Sequence, residues 1–423
     1  MRQLQKNFDR AAEFLVGRHD TLKQTLYALL TGEYQLLIGP PGTSKSFLAR
    51  TVLGMFEGAR LFQKQFHKDA AFMDSLIGPV DIGELMKGRL FRNMERGIVN
   101  CDLAFLDEFF RARTNESDCL LEIFNERRFT GNGEEVKCRH HSLIATTNCI
   151  NEAREAQAIL DRFAYCSEVN PLASNLDLMK ADKVYTHWRG VPPAWAPEDR
   201  VHIDELRQVS ALLLSEERSS SLSIPSHVLY LKNVLRQKFC GALKSEAGVR
   251  HGTKDDISDR GGGVAVKHLE AAALLAGRST VQAYDLIELK YFFPTVGNER
   301  HMAAFGRVYL DVMKGWKPEH GHQIDRLCDL DELIHVAAEK IHKGGEFPLG
   351  REFTILERVL TWIGLTSRNR ISFGDISRGI AACAAGSDLV AERKNEVLAV
   401  CGRTKQMLGI DDSRSLFTWQ PSA

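Results

Sequence analysis

The sequence carries no surplus of either charge: lysine plus arginine equals aspartate plus glutamate at 55 each, a formal net charge of +0. No overall positive field gathers phosphate backbones, so nucleic acid is a poor first partner and any basic patch has to be local. No run of about 18 apolar residues, the length a bilayer span needs, occurs anywhere, and the opening Met1-Arg2-Gln3-Leu4-Gln5-Lys6 lacks the apolar centre of a signal peptide. A cytoplasmic protein without a membrane span is the expectation. The nine cysteines are odd in number and no pair stands at CxxC spacing, which argues against a disulfide framework and a zinc ribbon. Internal repeats and recognisable DNA-binding motifs are missing as well.

What is present is length and apolar patterning. With 423 residues, 44% apolar and 26% charged, the chain can bury sizeable cores and exceeds one compact domain. Leu22, Leu26, Leu29 and Leu30 recur at helical spacing before Gly32, a helix stop. Gln35–Ile38 then reads as a strand, Gly39–Gly42 as a loop and Ser46–Phe56 as a helix. Further strands are predicted at 103–106 and 142–145, with edge strands at 61–66 and 163–169, and helical segments lie between several of them. Alternation of this kind implies an α/β fold with a mostly parallel sheet. Past Pro171 helical periodicity takes over, Pro192–Pro197 looks like a linker, and helices are expected at 203–214, 226–243, 264–276, 281–291, 330–341 and 352–363. The domains read from this are a nucleotide-binding core over 1–175, an all-α lid over 200–298 and a mainly helical region over 299–423, with a polar loop at 245–263.

The chemistry concentrates in one stretch, Gly39-Pro40-Pro41-Gly42-Thr43-Ser44-Lys45-Ser46. It fits a P-loop, with Ser44 where the usual pattern has its second glycine. Backbone N–H groups of such a loop converge on phosphates at a helix amino end. Lys45 would neutralise the β- and γ-phosphates of ATP and Ser46 would ligate Mg²⁺. Ser44 suits the loop unless its φ has to be positive. The plain alternative is a Gly/Pro turn with an exposed lysine. Context weighs against it: the apolar strand ending Leu106-Asp107-Glu108 delivers two carboxylates to the same end of the sheet. Asp107 would hold the Mg²⁺ water shell and Glu108 would take the proton of the attacking water. Asn148 closes the strand at 142–148, where its amide can orient that water. Arg162 and Arg260 each carry a cation able to stabilise a transferring phosphoryl group.

In this order the elements closely resemble the MoxR family of AAA+ ATPases, particularly its RavA-like branch, over about residues 10–290. Phe14-Leu15-Val16-Gly17-Arg18, Ile77–Asp81 with Gly88-Arg89 and Glu95–Gly97, Leu120–Phe129 and Glu155–Gln157 are similar to family segments outside the nucleotide motifs. The resemblance implies Asn148 as sensor 1, Arg162 as a finger inserted into a neighbouring subunit's site, and Arg260 as sensor 2. It also implies a homo-oligomeric ring, usually a hexamer. Such a ring would use ATP to remodel, mature or activate a protein client, often beside a von Willebrand factor A domain partner. Competing readings are a nucleotide-gated scaffold with little hydrolysis and, against the charge balance, a nucleic-acid motor.

Other residues invite plainer readings. His140-His141 and His320/His322 lack further ligands at metal spacing and read as solvated histidines. Cys101 and Cys149 flank the predicted site and read as small buried apolar groups. Arg111, Arg113, Arg127 and Arg128 read as solvated or subunit-contact cations.

Overall fold

A computed structural model describes residues 2–66, 72–111, 122–131, 133–148, 160–189, 191, 194–214, 222–246, 256–343, 351–364, 370–413 and 415–418. The chain divides into two compact units, one of residues 1–223 with 236–308, the other of 224–235 with 309–423.

The first unit opens with α1 (Arg2–Phe14), whose Leu4, Phe8 and Ala11 form one buried stripe at helical spacing. Next comes α2 (His19–Thr31), closed by Gly32 in the left-handed region at φ 66, where glycine carries no Cβ penalty. β1 (Tyr34–Ile38), α3 (Lys45–Leu53), β2 (Phe56–Glu57), β3 (Leu61–Gln65), α4 (Phe72–Leu76) and α5 (Ile82–Met86) come after it. Then come β4 (Leu103–Asp107), β5 (Arg128–Gly131), β6 (Glu134–Lys137), β7 (Ser142–Thr147) and β8 (Tyr165–Glu168).

β3, β4, β7, β1 and β8 form, in that order, a five-stranded sheet. All its pairings are parallel, with Tyr34 opposite Leu143 and Gln35 opposite Tyr165. The α/β core expected from the alternation of elements is therefore observed, and the two strands expected at edges, β3 and β8, are the edges. Both faces of a parallel sheet are covered, which is why β7 is buried along its whole length. α2 packs on β1 and β8, and α3 on β4 and β7. Phe109, immediately beyond β4, anchors an aromatic cluster with Phe124 at 5.7 Å and Phe163 at 5.5 Å between ring centroids. Each such ring, fully buried, contributes on the order of 2–3 kcal/mol.

The helical part of this unit comprises α6 (Asn175–Trp188), α7 (Ile203–Leu214), the end of α8 (Ser226–Glu246), α9 (Asp259–Leu275), a 3₁₀ segment at Ala283–Tyr291 and most of α10 (Glu299–Met313). Several expectations change here. Of the expected linker at 192–197, the described residues 194–197 are anchored: Trp195 is buried and its indole N–H donates to the Thr51 carbonyl at 2.9 Å, which pins them to α3. Residues 175–188, placed in the boundary zone, form a helix capped by Ser174. Residues 283–291 are wound as 3₁₀ rather than α, opened by a Gln282/Asp285 capping box. α9 begins at Asp259 and runs straight through Gly261–Gly263, started by the Ser258 hydroxyl on the Gly261 N–H. The expected loop at 245–263 is thus helical at both ends, and its residues 247–255 lie outside the described residues.

The second unit has its own core. α11 (Pro318–Lys343), α12 (Arg351–Trp362), α13 (Phe373–Ala382) and α14 (Asp388–Leu408) enclose Leu327, Leu330, Ile334, Val359, Ile376 and Val397. A short antiparallel pair, β9 (Arg370–Ser372) and β10 (Ser415–Thr418), is added to it. Among the described residues no helix is long and apolar enough to cross a membrane.

Candidate functional site

The site is built where β1, β4 and β7 end. β1 passes into the loop at Gly39, whose N–H donates to the Thr147 carbonyl at 3.1 Å. A Cβ on Gly39 would lie 2.3 Å from the Val169 carbonyl oxygen, so only glycine lets the loop leave the sheet this closely. Gly42 takes φ 81, and a Cβ there would meet nothing within 4 Å. Ser44 caps α3 in the left-handed region at φ 69, the one condition under which a serine is costly at this position. The first-turn N–H groups of α3 have no intrahelical acceptor and give the loop its positive end.

Two chains of hydrogen bonds join the loop to the neighbouring strands. In one, the Ser46 hydroxyl donates to Asp107 Oδ2 at 3.1 Å, and the Thr146 hydroxyl donates to Asp107 Oδ1. In the other, Lys45 Nζ donates to Asn148 Oδ1 at 3.2 Å and Asn148 Nδ2 donates to Glu108 Oε1 at 2.7 Å. Lys45 also donates to the carbonyls of Gly39 at 2.6 Å and Pro40 at 2.8 Å. Burial lowers the pKa of its ammonium; Glu108 and Asp107 oppose that shift and Arg18 adds to it. Glu108 adopts φ 56, a left-handed backbone that turns it out of the strand line while Phe109 stays buried. The structure thus brings Lys45, Ser46, Asp107, Glu108 and Asn148 together.

Arg162 and Arg260 lie elsewhere. Arg162 precedes β8 and pairs with Asp161 at 3.3 Å. Its Nε is buried without a hydrogen-bond partner among the described residues. Arg260 is exposed in the first turn of α9. The same helix is tied to the start of β1 by Lys267, 3.0 Å from Glu33. Burial raises the pKa of the Tyr34 phenol, the nearby Arg127 opposes it, and Arg260 is near enough to oppose it weakly. Arg162 therefore sits just before the amino end of β8, at the end of the parallel sheet opposite the loop.

Thr146 is the residue that sequence reasoning passed over. Its signal was available: side chains two apart on a strand share a face, so Thr146 points with Asn148 toward the carboxylates. The histidine reading needs correction. His140 and His141 are buried, not solvated; His140 bonds the Tyr34 hydroxyl and His141 Nε2 donates to the Leu29 carbonyl at 2.7 Å. His320 is buried too, while His322 is exposed. No metal-binding group of three or more His, Cys, Asp or Glu occurs among the described residues. Cys101 is buried, as expected, at the amino end of β4 and so away from the loop. Arg127 turns inward onto the Gly32 carbonyl and over the Tyr34 ring, and Arg128 pairs with Glu135 at 2.7 Å. Cys149, Arg113 and Glu155–Gln157 lie outside the described residues, as does the Arg111 side chain.

Comparison with known proteins bears on this geometry. Residues 2–190 match the family described as the MoxR domain in the MoxR-vWA-beta-propeller ternary systems. Over those residues the chain is similar to MoxR domains. The chain is also similar to two uncharacterised proteins of Methanocaldococcus jannaschii. One is 27% identical over 69% of this chain and 70% of its own length. The other is 25% identical over 81% of this chain and 84% of its own. The crystal structure of a candidate ATPase from Cytophaga hutchinsonii, 17% identical, shares the fold with a TM-score of 0.53 over 75% of this chain and 94% of that one.

Proposed function

We propose that the chain is an ATP hydrolase that works as a homo-oligomeric ring, a hexamer by family pattern, to remodel or activate a protein client. The observation that carries this reading is the hydrogen-bonded run Lys45, Asn148, Glu108, which links the cation of a phosphate-binding loop to a carboxylate able to take a proton. The residues present fit ATP and Mg²⁺. The cradle at Gly39 and Gly42 admits no side chain or needs none, and the paired Ser46 and Asp107 oxygens are hard donors of the kind Mg²⁺ prefers. Bound Mg²⁺ supplies charge neutralisation at the phosphate oxygens.

Within that reading Gly39–Ser46 hold the phosphates, Asp107 orients the metal's water shell, Asn148 places the attacking water and Glu108 accepts its proton. Arg162, at the far end of the sheet, and Arg260, exposed on α9, would serve a neighbouring copy's site rather than their own, which makes assembly a condition for turnover. The matching family is described in systems with vWA and beta-propeller components, so a von Willebrand factor A domain protein is the partner proposed.

The test is ATP turnover of wild type, Lys45→Ala, Glu108→Gln and Arg162→Ala across protein concentration, with sizing in ATP. Turnover that rises with assembly and is lost in all three variants is expected. Turnover by dilute monomer, unaffected by Arg162→Ala, would sink the ring mechanism. Assembly in ATP without turnover would favour the scaffold reading.

A further inference from the structure

Arg18 is a buried cation that no carboxylate among the described residues pairs with. The residue is nine-tenths buried, and its Nε lies inside the protein with no hydrogen-bond partner among the described residues. The contrast with the rest of this unit is sharp: Arg139 and Arg207 both close on Asp102, and Arg278 on Asp285. Nothing of that kind offsets the cost of burying Arg18, and desolvation alone pulls its pKa down. An uncompensated buried charge is expensive and persists where something else supplies the opposite charge.

The surroundings say what that is. Arg18 lines a cavity of about 550 Å³ together with Gly42, Thr43 and Ser44 of the phosphate-binding loop. Asp182 of α6 lines the cavity too, but it forms no ion pair with Arg18 and has no part in the shift of the Arg18 pKa. The charge of Arg18 is felt instead at the Lys45 ammonium. The backbone of Arg18 is fixed, since its N–H donates to the Leu15 carbonyl and its carbonyl accepts from Leu22 N–H, so the side chain is held at the cavity wall by the start of α2. A guanidinium on the wall of a cavity that the phosphate-binding loop also lines, within electrostatic reach of the loop's own lysine, makes with it an anion site. A planar guanidinium suits phosphate oxygens better than a second ammonium would.

We infer that Arg18 is a second phosphate-binding cation of this site, acting in cis beside Lys45 and holding the phosphate chain of a bound nucleoside di- or triphosphate. This rests on the nucleotide reading above and assigns a ligand contact to a residue otherwise known only as the end of an opening motif. In the free protein the guanidinium is a liability, and the bound polyphosphate turns it into an attraction.

The measurement is the affinity for Mg-ADP and for inorganic pyrophosphate, with the unfolding midpoint of the free protein, for wild type, Arg18→Met, Arg18→Lys and Lys45→Ala. Arg18→Met is expected to weaken ADP on the order of 10- to 100-fold, the loss typical of a hydrogen bond to a charged group. Its free-protein midpoint should hold or rise, and Arg18→Lys should recover part of the affinity. A lower midpoint with unchanged ADP affinity would make Arg18 a packing residue and overturn the inference. ADP binding lost in Lys45→Ala but kept in Arg18→Met would overturn it while leaving the nucleotide reading intact. Pyrophosphate binding that Arg18→Met abolishes, in a wild type that ignores ADP, would keep the anion site and remove the nucleotide. No binding of either probe to wild type would overturn both.

Discussion

At the scale of single residues the site holds two left-handed non-glycine backbones, Ser44 at φ 69 and Glu108 at φ 56. An L side chain in that region costs about 1–2 kcal/mol. Ser44→Gly should therefore raise the unfolding midpoint, by about 1 kcal/mol of stability, without lowering nucleotide affinity; a drop in stability by thermal or urea unfolding would show that the loop is not strained there. At Glu108 the strain sits at the proposed base, and Asn148 holds its carboxylate. Asn148→Ala should reduce turnover on the order of 100-fold, the cost of removing one positioned hydrogen-bond donor, while ADP affinity stays near wild type. Equal losses in turnover and affinity, measured by steady-state kinetics beside equilibrium binding, would instead make Asn148 a part of the binding loop. Thr146, the second side chain on that face of β7, completes the Asp107 carboxylate's hydrogen bonding.

Among elements, α2 departs from its amphipathic sequence. Its apolar residues recur on one stripe, yet Thr21, Gln24, Thr25 and Thr31 are buried as well. The reason is that α7, α9 and the 3₁₀ segment cover the face that the sheet leaves open. Gln24 lives there by serving four groups: it donates to the carbonyls of Cys166 and Tyr291 and accepts from Gln35 and Ser167. His268 of α9 is held the same way, accepting from the Tyr165 hydroxyl and donating to the Glu288 carbonyl at 2.9 Å. Burial depresses His140 and His268 to about 3 and His141 to about 4. The unfolded chain, with histidine near 6.5, takes up protons first as pH falls, so stability is full above about pH 6.5 and declines below it. The slope is up to about 1.4 kcal/mol per pH unit for each histidine. Unfolding midpoints from pH 8 to pH 5 should show this, and His141→Gln, whose amide can still reach the Leu29 carbonyl, should flatten it. α7 is fastened differently, by Arg207 on the fully buried Asp102, which Arg139 and the Arg60 N–H also hold. Desolvation raises the Asp102 pKa, but those partners outweigh it and leave the group below its ordinary value. Arg207→Ala should cost roughly 3 kcal/mol by stripping a buried carboxylate of one partner, read as a lower urea midpoint.

For the whole molecule the placement of the arginines matters most. The loop and carboxylates stand at the carboxyl ends of the strands, Arg162 stands just before the amino end of β8, and α9, whose first turn bears Arg260, is tied by Lys267 to Glu33 just before β1. If a neighbouring copy supplies these cations, two inactive variants should repair each other: mixing Lys45→Ala with Arg162→Ala should recover part of the wild-type turnover, because some interfaces then join an intact loop to an intact arginine. The same mixing with Arg260→Ala separates the two cations. Turnover of the mixture no greater than the sum of the separate variants, with mixed assemblies shown by sizing, would mean that neither arginine acts in a neighbouring copy's site.

Much of this was legible in the sequence because its carriers are local. A strand, a Gly/Pro loop and a helix succeed one another at Gln35–Thr51, and the strands ending in Asp107 and Asn148 are short apolar runs with polar tips, so type and order of elements declared themselves. What sequence could not decide depends on partners distant in the chain. Whether His140, His141 and Gln24 are wet or dry is set by which helices close over the sheet. Trp195 turns an apparent linker into an anchored strap through a carbonyl on α3. The φ of Ser44 is set by the loop that surrounds it, and Arg18 acquires its meaning from a cavity it shares with that loop and from the want of a paired acid among the described residues. Local pattern specifies elements, because their hydrogen bonds close within a few residues. Burial and charge pairing are decided between elements, and only the tertiary structure brings those together.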